Sequence, residues 1–249
     1  MPVLYMGDGA LENGASYLAG VMKTFEIDFD HMDPARRCPD SFLDKAYDAV
    51  ILSDYPSANF TPAQLKTLKT KVESGMGLVM IGGWDSFVGQ SGHYDATILR
   101  EVLPVEMHNR DDRVNCSSPC VVEKNTDHAI IESLPFAADM PCVGGFNEVK
   151  AKANSVTILS ARRFKVSKSA NAFNFIAQGV SPLLVVGMCG KGRVAAFMSD
   201  VAPHWIGGLV DWGSRRITAQ SPGASQVEIG EHYAGLFANI IRWTSNTAF

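Results

Sequence analysis

The sequence is poor in the features that most readily mark a function. Its five cysteines are odd in number and follow no small-scaffold spacing, which excludes a disulfide framework and points to reduced thiols in a reducing compartment. Cys116 and Cys120 are separated by Ser117-Ser118-Pro119, one residue too many for a C-x-x-C pair, with no second pair to complete a zinc site. They read as two unconnected thiols, and no metal is expected. No window approaches the roughly 18 apolar residues of a membrane span. The opening residues, Met1 to Met6, have neither a basic n-region nor a long apolar h-region before Gly7-Asp8-Gly9, so a soluble, cytoplasmic protein is expected. Basic charge is in deficit: 22 Lys and Arg against 26 Asp and Glu leave a net charge of -4, and the arginine pairs at 36–37, 162–163 and 215–216 are scattered. That excludes a nucleic-acid partner, because neutralising phosphates needs a basic face. Gly190-Lys191-Gly192 lacks the spacing of a phosphate loop, and no cofactor is implied.

What is present is an ordinary globular composition, 46% hydrophobic and 19% charged over 249 residues, enough to bury a sizeable core. The organising stretch is Gly77-Leu78-Val79-Met80-Ile81-Gly82-Gly83-Trp84-Asp85-Ser86-Phe87. Its apolar run reads as a strand buried on both faces, the mark of a central strand in a parallel sheet. The glycine turn that follows lies where such sheets bind ligands, outside the carboxyl ends of the strands. Val3 to Met6 with a helix from Ala15 to Phe25, a further apolar run from Phe25 to Phe29, and Asp48 to Ser53 build up to it. Thr61-Pro62-Ala63-Gln64 predicts a helix start with a capping box. Alternating strands and helices at this spacing predict βαβ crossovers in a three-layer α/β domain spanning 1–249. A short helix is expected to end at Leu103-Pro104. Then Val114–Lys124, Val143–Lys152, Val156–Phe164 and Phe173–Gln178 read as short strands of an antiparallel extension. Two apolar runs around Cys189-Gly190-Lys191-Gly192 predict a hairpin, and Ile229 to Ile241 a closing amphipathic helix.

Asp54 after its strand, Gly82-Gly83 with Ser86-Phe87 and Gly89, Glu101-Val102-Leu103-Pro104-Val105, Asp111-Asp112-Arg113-Val114, and Ser199-Asp200 with Pro203-His204-Trp205 together resemble the class I glutamine amidotransferase-like superfamily. Within it they resemble the group labelled "putative glutamine amidotransferase" or "putative cytoplasmic protein". The resemblance covers most of the chain and implies a flavodoxin-like sandwich with a mainly parallel sheet. It also implies that an active amidotransferase carries a cysteine at the strand-to-helix elbow, with a histidine and a glutamate from a later strand end. A nucleophile suits that bend because its side chain enters the crevice where backbone N–H groups hold an oxyanion. Here the elbow offers Gly82, Gly83 and Trp84, no cysteine lies within twenty residues of it, and Ser199-Asp200 occupies the place of the histidine. Glutamine hydrolysis through a cysteinyl thioester is not supported by these residues.

Each candidate has a plainer reading beside the functional one. Ser86 is the nearest nucleophile, but reads more naturally as a helix cap. Asp85 is a base candidate that would equally satisfy N–H groups at a helix start. Asp8, Asp54 and Asp200 each follow a strand, so a parallel sheet brings three carboxylates toward one edge, although aspartate is also common in turns. His204 is an acid/base candidate beside Trp205, an aromatic wall for a ring, or a surface histidine. The expected site therefore comprises Asp85, Ser86, Asp200 and His204 as chemical groups, with Asp8, Asp54, Gly82, Gly83, Trp84 and Trp205 holding a small polar ligand. The rival expectations are an acid/base hydrolase using Asp85 or Asp200 with His204, and a non-catalytic homo-oligomer.

Overall fold

The computed structural model describes residues 2–247. Along the chain the elements are β1 (Val3–Gly7), α1 (Ala15–Thr24), β2 (Phe29–Met32), β3 (Ala49–Ser53), α2 (Pro62–Glu73), β4 (Gly77–Ile81) and α3 (Leu99–Val102). There follow β5 (Val105–Met107), β6 (Arg113–Lys124), β7 (Cys142–Asn147), β8 (Val149–Ala151), β9 (Val156–Ser169), β10 (Ala172–Cys189) and β11 (Gly192–Phe197). The chain closes with α4 (Pro203–Ile206), β12 (Arg216–Ala219), β13 (Val227–Gly230) and α5 (Glu231–Thr244).

A nine-stranded sheet in the order β2-β1-β3-β4-β11-β10-β9-β6-β7 organises these elements. The first five strands run parallel and the rest pair antiparallel. Every residue of β1, β3 and β4 is buried, as continuous apolar strands covered by helices on both faces must be. α1 and α5 pack together against one side of the sheet and α2 lies with α3 on the other. Two small sheets, β12 with β13 and β5 with β8, sit outside the large one.

Local chemistry explains the boundaries that match expectation. The Thr61 hydroxyl accepts the Gln64 N–H at 3.2 Å and the Gln64 side chain accepts the Thr61 N–H at 2.8 Å, a complete capping box in front of Pro62. Three expectations need correction. Phe25 to Phe29 is a turn, and the strand starts at Phe29. Val143 to Lys152 divides into β7 and β8, which belong to different sheets. The short strand at 173–178 and the hairpin strand at 183–188 are one 18-residue strand, β10, whose outer half stands exposed with β9.

No helix follows β4 directly. Residues 82–93 form an irregular loop instead, so Ser86 and Asp85 are not at a helix start. The physical reason lies far along the chain, in Asp112 and Asn147, both fully buried. The Asp112 carboxylate accepts the N–H groups of Val88 at 3.1 Å and Gly89 at 2.9 Å. Asn147 accepts the Gly83 N–H at 2.9 Å and donates to the Gly83 carbonyl at 3.1 Å and to Asp112 at 2.8 Å. Peptide groups that would have begun a helix are thus held by side chains from β7 and the start of β6.

Asn147→Ala is expected to lower stability by about 2–4 kcal/mol, because it strands both polar groups of Gly83 in the interior and removes one of the donors to Asp112. A lower urea midpoint at unchanged slope would show it; an unchanged midpoint would mean that the loop is held by other means.

Candidate functional site

The loops after β1, β3, β4 and β11 meet at the carboxyl edge of the parallel strands. Asp8 and Asp54, the residues immediately after β1 and β3, both have a left-handed backbone, with φ of 57° and 46°. Aspartate tolerates this conformation better than most residues. The Tyr5 hydroxyl donates to Asp8 Oδ2 and the Ser53 hydroxyl to Asp8 Oδ1, the latter at 2.9 Å. Asp54 is tied to the elbow. Its Oδ1 accepts the Asp85 N–H at 2.7 Å, and its own N–H donates to the Ser86 hydroxyl oxygen at 2.9 Å. Asp200 turns its Oδ1 onto the N–H groups of Val201 at 2.6 Å and Ala202 at 3.0 Å.

These carboxylates feel one another. Burial pushes Asp200 up to about 6, opposed by the N–H groups of Ala202 and Val201 and by the nearby His204. Burial and then the Asp200 charge push Asp54 up to about 7. Asp8 rises well above the carboxylate range through burial and the charges of Asp200 and Asp54. Asp200 therefore ionises first, and its charge makes the other two harder to ionise, so the cluster retains a proton near neutral pH. Burial likewise raises Tyr5 and Tyr233, which keeps both phenols as hydrogen-bond donors; Tyr233 donates to the Val201 carbonyl at 2.7 Å. Among the described residues no group of three His, Cys, Asp or Glu side chains is arranged to hold a metal ion.

The elbow glycines carry backbone pressed against neighbours. A Cβ at Gly82 would stand 2.1 Å from the Met198 carbonyl oxygen, and one at Gly83 would stand 2.1 Å from Asp54 Oδ1. A side chain at 82 would run into backbone, and one at 83 would have to displace the Asp54 carboxylate. Trp84, next in the chain, is 41% exposed. Its ring meets His204 edge-on at 5.9 Å between centroids and lies under the Arg113 guanidinium at 4.6 Å. Arg113 is itself held by Asp111, through Nε at 3.0 Å and Nη2 at 2.8 Å.

The predicted residues divide accordingly. Asp8, Asp54, Asp200, Gly82, Gly83, Trp84 and His204 come together at this edge. Ser86 is buried and its oxygen holds the Asp54 peptide; Asp85 contributes its peptide N–H to Asp54. Trp205 is 1% exposed, packs against Gly145 and donates its indole N–H to Asn115 at 2.7 Å. It belongs to the core and offers no aromatic wall at this edge, where Trp84 is the exposed indole. The residues missed were Tyr5, Tyr233 and Asn147. A tyrosine within the first buried strand and an asparagine closing β7 are weak signals, because their partners are remote in sequence. Broad surface grooves of about 350 to 600 Å³ lie elsewhere on the molecule and are not lined by these carboxylates.

Asp54→Asn keeps an oxygen for the Asp85 N–H and suits the left-handed backbone while removing the ionisation. The carboxyl of Asp54 is raised on folding, so the unfolded chain gives up this proton more readily and wild-type stability falls as pH rises from about 4 through about 7. Relative to wild type, the variant is expected to melt higher at pH 8 than at pH 5, with the difference closing toward pH 4. An equal offset at all pH values would show that Asp54 ionises freely.

The chain matches the family described as Putative glutamine amidotransferase over residues 6–217. Among solved structures it is similar to the Cytoplasmic Protein STM1381 from Salmonella typhimurium LT2, at 28% identity and TM-score 0.75 over 98% of this chain and 99% of that one. It is similar to the Cytoplasmic Protein STM3548 from Salmonella typhimurium at 26% identity and TM-score 0.73, over the same shares of the two chains. The mmIFT52 N-terminal domain, at 12% identity and TM-score 0.60 over 99% of both chains, shares the fold. No curated protein matches. No helix among the described residues is long and apolar enough to cross a membrane. With a match that takes in both the elbow and the Asp200 loop, this chain belongs to the Putative glutamine amidotransferase family.

Proposed function

We propose that this protein is an amidotransferase-like member that does not use the cysteine mechanism and binds a small polar ligand at the rim formed by Asp8, Asp54, Asp200 and Trp84. The observation that carries the reading is the packing of Gly82 and Gly83 against the Met198 carbonyl and the Asp54 carboxylate, which leaves no space for the elbow thiol. None of the five cysteines lies in a loop after β1, β3, β4 or β11. Partly protonated carboxyls offer both donors and acceptors to hydroxyl or amino groups of a ligand, and an exposed indole beside a guanidinium and an imidazole offers a stacking surface. Two similar proteins carry the name cytoplasmic protein, which supports a cytoplasmic location.

A panel of amino acids, sugars and nucleosides read by thermal shift tests this. A ligand at 100 times its Kd adds about 2.7 kcal/mol, a rise of about 5–10 °C for a domain of this size. The rise is expected in wild type and in Cys189→Ser, and is expected to vanish in Trp84→Ala and Asp200→Asn. Ammonia release from glutamine that disappears in Cys142→Ser or Cys189→Ser would overturn the reading.

A second reading, acid/base hydrolysis of a small molecule, is favoured by the carboxyls of Asp200 and Asp54 lying at about 6 and about 7, where one gives and the other takes a proton at neutral pH. In that reading His204 assists Asp200, while Ser86 and Asp85 position Asp54. Hydrolysis of nitrophenyl esters or glycosides with a bell-shaped pH profile, lost in Asp200→Asn, is the expected result. A flat profile unaffected by that substitution would end it.

A further inference from the structure

Outside the rim, the described residues hold a second chemical cluster, where β6 passes between β7 and β9. Along β6, Asn115 lies opposite Gly145 and Cys120 opposite Val143. Five steps on β6 thus face two on β7, and three residues bulge out of the ladder. Two strand steps cover about 7 Å where five would cover about 17 Å, so the bulge draws Cys116 back to Cys120. The strand register thus brings the two cysteines near one another on β6, Cys116 half-buried and Cys120 buried. In the sequence the two read as unconnected thiols; both are free thiols here, and the bulge brings them near one another. Across the ladder, Cys120 pairs with Arg163 of β9, whose Nε is buried and makes no hydrogen bond among the described residues.

Cys116 and Arg163 line the same groove, of about 350 Å³, together with Lys165 and Gln178. Two cations and no acid face it. The neighbouring Cys120, then the Arg163 charge, draw the Cys116 thiol below its ordinary range, while Cys116, then burial, hold Cys120 above it. By contrast Cys189, the half-buried thiol of the β10–β11 turn, is raised by burial and by Glu73. An attacking thiolate, a partner thiol behind it and a cationic groove in front are the parts that thiol–disulfide exchange requires.

We propose that Cys116 and Cys120 form a reactive dithiol that exchanges with an anionic low-molecular-weight disulfide seated against Arg163 and Lys165. The Cys116 thiolate attacks one sulfur of the disulfide RS–SR; that S–S bond breaks, a mixed disulfide forms on Cys116, and RS⁻ leaves. Cys120 then gives its proton to solvent and attacks the Cys116 sulfur, forming the Cys116–Cys120 bond and expelling the second RS⁻. Two protein thiols are oxidised and one disulfide is reduced to two thiols, with no other reactant needed. The site is independent of the rim and of the ligand proposed there.

Oxidised glutathione is the probe, with peptide mass mapping as the readout on the folded full-length protein. Wild type is expected to give the Cys116–Cys120 disulfide, and Cys120→Ser to stop at the glutathione mixed disulfide on Cys116. Cys116→Ser is expected to leave Cys120 unmodified. Cys116 is expected to react at least about tenfold faster than Cys189. Arg163→Gln is expected to slow the reaction with glutathione disulfide at least about fivefold and to slow that with cationic cystamine far less, a contrast that a general loss of folding would not produce. Reaction of Cys116 no faster than Cys189, a mixed disulfide that persists in wild type, or equal slowing with both disulfides would overturn the proposal.

Discussion

The Asn147 side chain and its partner Asp112 are the constraint on which the carboxyl edge depends. An asparagine amide can accept and donate at once, and Asn147 uses both capacities on one residue, taking the Gly83 N–H and returning a hydrogen bond to the Gly83 carbonyl. Its backbone N–H is committed as well, to the Met198 carbonyl at 2.9 Å, which joins β7 to the end of β11. Asn147 thus adds a side-chain bridge between the loop after β4 and the end of β11, beside the direct bond from the Gly82 N–H to the Phe197 carbonyl at 2.7 Å. Trp84 and Asp200 lie on the two loops it joins, and Asp54 is tied to the first through the Asp85 N–H. Buried polar networks of this kind are strong when every member is paired and costly when one is missing.

With the loops fixed, the electrostatics of the rim follow. Three carboxyls at adjacent strand ends cannot all ionise in partly dry surroundings, and hydroxyl donors from Tyr5 and Ser53 ease only the charge on Asp8. Asp200 has the advantage of two peptide N–H groups and a nearby imidazole, so it takes the first charge. The order in which the cluster ionises is thus set by which carboxyl has backbone donors, a property of loop shape more than of composition.

Much of this was legible in the sequence and some could not be. The buried apolar runs at 49–53 and 77–81 declared a parallel sheet, and the rule that such sheets present their strand ends at one edge brought Asp8, Asp54 and Asp200 together correctly. Thr61 and Gln64 fixed a helix start because every partner in a capping box is local. The helix expected after Gly83 failed for the opposite reason. Its N–H groups are taken by Asp112, 23 and 24 residues away from Gly89 and Val88, and no local pattern reveals a remote acceptor. The burial of Trp205 escaped the sequence on the same ground, since it packs against Gly145, which is remote from it in the chain.

The same packing bears on what the elbow itself can carry. The Asp54 carboxylate lies against the Gly83 backbone because position 83 has no side chain, and it is that closeness that lets Oδ1 receive the Asp85 N–H. A thiol at 83 would need the volume that the carboxylate occupies. Moving Asp54 away would release the Asp85 peptide and, through the Asp54 N–H, the Ser86 hydroxyl. A side chain at 83 and the Asp54 carboxylate would thus compete for one space, and in this chain the carboxylate fills it. The packing of the three strand ends thus sets what stands at the elbow: backbone at 82 and 83, with the Asp54 carboxylate filling the space beside it.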